Sequence, residues 1–145
     1  MSKVSKNQRR CLNNKILIVD DDKSILETMS KALRKVCNFR GEIKTVKNGE
    51  DAVEEISNCF YNICFLDIKL PDLNGLDVMK RIKEISPETR IAIMTGSVIS
   101  DDMKRTIEEG ASLFIEKPFD ISRIKPFVKQ VSERTLSVQR VTKQF

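Results

Sequence analysis

Four short apolar runs in this sequence each lead into a residue that can do chemistry. Ile63-Cys64-Phe65-Leu66 runs into Asp67, and Ile16-Leu17-Ile18-Val19 runs into Asp20, Asp21 and Asp22. Ile91-Ala92-Ile93-Met94 ends on Thr95, and Leu113-Phe114-Ile115 is followed by Glu116 and Lys117. Singly, none is informative, because an aspartate after a strand is most often a turn former or a helix cap. Jointly, they place carboxylates, a hydroxyl and an ammonium at the ends of successive strands. Carboxylates gathered into one crevice repel one another and require a positive partner. Mg²⁺ is a hard cation held by one or two carboxylates, a carbonyl, waters and phosphate oxygens. In that setting Asp67 is a candidate nucleophile for a phosphoryl group, forming an aspartyl phosphate. The metal and Lys117 would offset the charge on the transferring group.

The elements that must position these residues alternate along the chain. Ile25, Leu26, Met29, Leu33 and Val36 recur at helical spacing over 23–36. Gly41 breaks the chain, and 42–46 alternates as an outer strand would. Asn48 is an N-cap candidate for a helix that turns Ala52, Val53 and Ile56 inward. Ile63–Leu66 is apolar throughout, as a central strand buried on both faces should be. Helices are expected over 75–85 and 101–109, the second stopping at Gly110, and a last helix begins near Asp120. Pro126 falls inside that helix and is expected to kink it or delay its start. Beyond it, Phe127, Val131, Val138, Val141 and Phe145 form a loose apolar stripe, read by default as a frayed tail past Glu133. Five strand–helix units with short connections predict an α/β fold, a doubly wound parallel sheet with helices on both faces. Ligands of such sheets bind outside the carboxyl ends of the strands.

At these residues the chain resembles the response-regulator receiver domain of two-component signalling (CheY-like). The matching pieces are the run 16–22, the stretch Leu66-Asp67-Ile68-Lys69-Leu70-Pro71-Asp72-Leu73-Asn74-Gly75-Leu76, Thr95-Gly96, and Lys117-Pro118-Phe119. The resemblance covers residues 15–130 and implies a flavodoxin-like five-stranded sheet of order 2-1-3-4-5. It implies that Asp67 is the phosphoacceptor. Asp20, Asp21, Asp67 and the backbone carbonyl of Lys69 would hold Mg²⁺. Thr95 would hydrogen-bond the phosphoryl group and Lys117 would pair with it through a cis Lys117–Pro118 peptide. Asp22 is read as first-turn helix chemistry rather than as a ligand. Thr95 and Phe114 would form the switch, Phe114 swinging inward without a hydroxyl to donate, and the fourth helix, fifth strand and fifth helix would be the readout face. Lys69 and Ser97 resemble positions that tune phosphate lifetime. The expected partners are a sensor histidine kinase or phosphotransfer protein and a downstream protein target, with a homodimer through the readout face as a further option. Such a chain is no enzyme beyond catalysing its own phosphorylation and dephosphorylation.

Composition bounds the alternatives. At 145 residues, 40% hydrophobic and 32% charged, the chain is expected to be one soluble domain in the cytoplasm, acting as a single-domain regulator. No apolar run approaches the ~18 residues of a membrane span, and no secretory h-region opens the sequence. Residues 1–15 hold five Lys/Arg and no acid, and 122–145 hold six Lys/Arg and one Glu. The intervening stretch is acidic, with 15 Lys/Arg against 20 Asp/Glu. Residues 1–14 therefore read as a basic arm and 131–145 as a helix extension or tail. Solubilising termini are preferred to a nucleic-acid or acidic-membrane surface, because no aromatics interleave the charges. The segment after the domain is too short for a helix-turn-helix, so no DNA-binding domain is expected. Cys11, Cys37, Cys59 and Cys64 form no CxxC pair and read as reduced thiols, Cys64 serving as a small apolar group. No histidine is present, so the phosphoryl group must come from another molecule. A haloacid-dehalogenase phosphatase would want an Asp where Lys69 stands. An FMN-binding flavodoxin would want a small-residue loop where Asp20-Asp21-Asp22 stands. A degenerate receiver acting as a phosphorylation-independent interaction module remains the alternative, against which the complete site argues.

Overall fold

The computed structural model describes the backbone over residues 14–143 and the side chains through Ser132. Five strands alternate with five helices: β1 Lys15–Val19, α1 Lys23–Lys35, β2 Glu42–Val46, α2 Gly49–Asn58, β3 Ile63–Asp67, α3 Gly75–Ile85, β4 Arg90–Thr95, α4 Asp101–Gly110, β5 Leu113–Glu116 and α5 Ile121–Lys143. All strand pairs are parallel and the sheet order is β2-β1-β3-β4-β5, the doubly wound architecture expected. The helices divide between the two faces of the sheet, and side-chain alternation shows how. Leu17, Val19, Cys64, Leu66, Ile91 and Ile93 face one layer, packed with Ala52, Val53 and Ile56 of α2, Leu76, Met79 and Ile82 of α3 and Ile107 of α4. Ile16, Ile18, Ile63, Phe65, Ala92, Met94 and Ile115 face the other, packed with Leu26, Met29 and Leu33 of α1 and Ile124 and Val128 of α5. Each such buried aliphatic contributes about 1.5–3 kcal/mol relative to exposure. No described helix is long and apolar enough to cross a membrane.

Helix starts are fixed by side-chain acceptors. Asp22 accepts from Ser24 N, Asn48 from Asp51 N, Asn74 from Leu76 N and Ser100 from Met103 N. Asp22 is thus a cap, as the sequence implied. The chain turns after α1 at Asn38, whose φ of 53° is left-handed, and β2 starts at Glu42 directly after Gly41, as expected. Gly41 is also needed for closeness: a Cβ there would collide with the Asn14 carbonyl and the Phe39 ring. One expectation needs correction: Pro126 does not delay the last helix. The Asp120 carboxylate accepts from Ser122 N at 3.0 Å and fixes the start at Ile121, and the helix continues through Pro126. It runs on to Lys143. Of the expected basic arm over 1–14, residues 1–13 lie outside the described residues. The side chains of Val138, Val141 and Phe145 also lie outside them.

Candidate functional site

Parallel register brings the strand ends together. Val19 lies opposite Leu66, Asp67 opposite Met94 and Thr95 opposite Glu116, so the residues that end β1, β3, β4 and β5 share one edge of the sheet. Asp67 is the last residue of β3 and is 6% exposed; Asp20 follows β1 and is fully buried; Asp21 beside it is exposed. One carboxylate oxygen from each of the three lies within 4.8 Å of the others. Lys117 Nζ donates to Asp20 Oδ2 at 2.8 Å and to Asp67 Oδ2 at 3.2 Å. Asp20 Oδ1 accepts from Asp22 N at 3.0 Å. Asp67 Oδ1 is approached by Lys69 N at 3.4 Å, a long contact that leaves this oxygen weakly engaged.

Among the described residues the site is short of positive charge. Three carboxylates face one ammonium, and two like charges 4.8 Å apart cost about 3 kcal/mol at an effective dielectric near 20. Burial and then the Asp20 charge push the Asp67 carboxyl above the ordinary carboxylate value, against the pull of Lys117. Burial opposes the charge on Lys117, yet its hydrogen bond to Asp20 and the charges of Asp67 and Asp20 prevail and raise it. A hard cation with oxygen preference fits this donor set.

The remaining predicted residues sit around this centre. Thr95 is 2% exposed, and its Oγ1 accepts from Ser97 N at 3.1 Å. Lys117 N donates to the Thr95 carbonyl at 2.7 Å, locking the ends of β4 and β5 together. The Lys117–Pro118 peptide is cis. Thr95, Ser97, Ile99, Phe114 and Lys117 line an open cavity of about 380 Å³, with half-buried Phe114 along one wall. Lys69 is exposed, and its backbone forms a bridge to Asn74 across the loop after β3.

That loop and the first turn of α3 hold two residues to which sequence reasoning gave no role. Asp72 accepts from Gly49 N at 2.8 Å and Glu50 N at 2.9 Å, so it fastens the loop to the N-terminus of α2. These bonds hold its carboxyl below the ordinary value. Gly75 packs so closely that a Cβ would collide with the Asp67 carbonyl and with Ile68. The signal for Asp72 was its place after Pro71 in a turn, but its acceptance of bonds 22 and 23 residues away is tertiary. 

Comparison with known proteins agrees with this geometry. The family model described as the response regulator receiver domain matches residues 16–129. Sporulation initiation phosphotransferase F of Bacillus subtilis (strain 168) is 34% identical over 120 residues, covering 82% of this chain and 94% of that protein. The hybrid signal transduction histidine kinase L of Dictyostelium discoideum is 33% identical over 128 residues, 82% of this chain but 7% of that protein. The matched segment is likewise 23% and 53% of the length of two further curated relatives. A CheY-like response regulator receiver domain protein from Methanospirillum hungatei JF-1 superposes with a TM-score of 0.75 at 25% identity, covering 86% of this chain and 98% of that one.

Proposed function

The chain belongs to the response-regulator receiver domain family, and from that premise we propose that Asp67 is its phosphoacceptor and that Mg²⁺ is its cofactor. The observation that carries this reading is the convergence of three carboxylates within 4.8 Å, two of them bonded to the Lys117 ammonium. Asp20, Asp21 and Asp67 would hold the cation, with the Lys69 carbonyl as a further ligand from the adjoining loop. When bound, Mg²⁺ supplies positive charge to the carboxylates and to phosphoryl oxygens.

This chain's own residues do the rest. An Asp67 carboxylate oxygen attacks phosphorus, a P–O bond forms, and the bond from phosphorus to the donor breaks. With a phosphohistidine donor, the electron pair of that P–N bond stays on the imidazole nitrogen, which takes up a proton. Lys117 is already bonded to Asp67 Oδ2 and meets the negative charge arriving there. Thr95, whose Oγ1 accepts from Ser97 N, then donates its hydroxyl proton to a phosphoryl oxygen, and Phe114 moves into the cavity beside it. The donor is a histidine kinase or phosphotransfer protein, and the output passes to a protein partner through α4, β5 and α5. The chain has no catalytic turnover beyond its own phosphorylation and hydrolysis, and it works in the cytoplasm.

The test is an intact mass after incubation with acetyl phosphate and Mg²⁺. One phosphoryl group is expected on the wild type, none on Asp67→Asn, and none on either with excess EDTA. An unchanged wild-type mass, or a gain that survives Asp67→Asn, refutes the assignment.

A further inference from the structure

At the amino edge of the sheet, opposite Asp67, a lysine and a cysteine are pressed together. Lys15 opens β1 and Cys59 caps the C-terminus of α2, and Lys15 Nζ lies 2.8 Å from Cys59 Sγ. Sulfur is larger than oxygen, so an N–H···S hydrogen bond should be longer than the ~2.9 Å of N–H···O. The pair is closer than an ordinary hydrogen bond requires.

The surroundings hold it there. Lys15 Nζ is also 3.1 Å from Glu42 Oε2 and lies over the Tyr61 ring, 5.1 Å from its centre. The Lys15 backbone N–H donates to Asn62 Oδ1 at 2.9 Å, and the Cys59 N–H donates to Glu55 O at 3.0 Å. The Lys15 side chain is 12% exposed and Cys59 is half-buried, so a small oxidant reaches the pair while bulk solvent does not separate it. The other described thiols are differently placed. Cys64 is wholly buried, with its thiol pushed up to about 12, and burial also pushes up Cys37.

We propose that Lys15 and Cys59 form a site of oxidative modification, where hydrogen peroxide joins Nζ to Sγ through a single bridging oxygen. Two single bonds meeting at an oxygen span the separation already present, whereas a direct N–S bond would need the chain to close up. The reaction consumes two peroxides per bridge. Lys15 first gives its ammonium proton to solvent; the S–H bond of Cys59 and one N–H bond of the resulting amine then break, N–O and O–S bonds form, and three waters leave. Nitrogen and sulfur each lose two electrons, and each peroxide gains two. The bridge would tie the start of β1 to the end of α2. It does not depend on the phosphoacceptor reading, because the two sites occupy opposite edges of the sheet.

The full chain is treated with hydrogen peroxide, digested and mapped by mass. A cross-link between the peptides carrying Lys15 and Cys59 is expected, heavier by about 14 Da than their sum (one oxygen gained, two hydrogens lost) and released by dithiothreitol. Lys15→Arg and Cys59→Ser, each checked for native circular dichroism, should lose it, and Cys37→Ser should keep it. Acetyl phosphate labelling of Asp67 in the same sample reports separately on the phosphoacceptor. Oxidation of Cys59 alone, by about 16 or 32 Da, would overturn the proposal. So would a disulfide as the sole product, or a Cys59 thiol that survives peroxide unchanged.

Discussion

Among the described residues Lys117 is the one cation that meets both buried carboxylates, and its removal separates the electrostatic reading from a packing one. Asp20 is fully buried and Asp67 nearly so, and each is bonded to the Lys117 ammonium. Deleting one partner of a buried pair leaves the other charge uncompensated, typically about 3 kcal/mol or more of stability. Lys117→Ala should therefore melt well below wild type in EDTA. A divalent cation can replace part of the missing charge, so Mg²⁺ should raise the midpoint of Lys117→Ala by more than it raises wild type. Equal midpoints for the two proteins in EDTA would show that the ion pair is energetically idle. Asp67→Asn tests the other side of the balance. Burial and the Asp20 charge make the Asp67 carboxylate costly in the folded state, and asparagine can still accept from Lys117. In EDTA this variant should melt no lower than wild type, and a clear drop in thermal midpoint would contradict the repulsion.

The helices are positioned by caps and close approaches, and these differ in how well sequence exposes them. Asn48 was legible as a cap from its place before a helical run, and Asn74 and Ser100 cap α3 and α4 in the same way. The strands were legible for a related reason: the apolar runs of β1, β3 and β4 suit the centre of a parallel sheet, whose strand ends must then share an edge. Gly75 and Asp72 were not legible, because what each touches is set by how α3 and α2 dock beside β3. At Gly75 a Cβ would strike the Asp67 carbonyl. Gly75→Ala should cost about 1–3 kcal/mol through that clash and should slow acetyl phosphate labelling of Asp67 at the same time. Loss of stability with unchanged labelling would show that α3 shifts without disturbing Asp67. Asp72 and Asp120 both have carboxyls held below the ordinary value, by backbone bonds from Gly49 and Glu50 in one case and bonds from Ser122 in the other. A depressed folded value means the stabilisation is complete above the unfolded value of 3.8 and is lost as pH falls through the folded value. The drop in midpoint below pH 3.8 should be shallower in Asp72→Asn, which keeps an acceptor but cannot titrate. An acid limb identical to wild type would remove Asp72 from the account.

At the scale of the whole molecule, one sheet separates two chemistries by polarity of direction. All five strands are parallel, so every carboxyl end lies on one edge and every amino end on the other. The first edge collects acids and a lysine, because strand ends that meet a ligand must be polar. The second holds Lys15, Glu42, Cys59 and Tyr61, a constellation that sequence gave no hint of because its members start or precede different strands. The core between them is continuous on both faces of the sheet, so a ligand at one edge stabilises the molecule as a unit. Mg²⁺ that binds the folded chain and not the unfolded one adds about 2.7 kcal/mol at one hundred times its dissociation constant. Three carboxylates within 4.8 Å exist only in the folded state, since Asp20 and Asp67 are far apart in sequence. The thermal midpoint should therefore climb steadily with Mg²⁺ concentration and fall back on chelation. The climb should be smaller in Asp20→Asn and in Asp67→Asn, each of which gives up one ligand charge. A wild-type midpoint indifferent to Mg²⁺ up to tens of millimolar would mean that Lys117 alone suffices to hold the acids together.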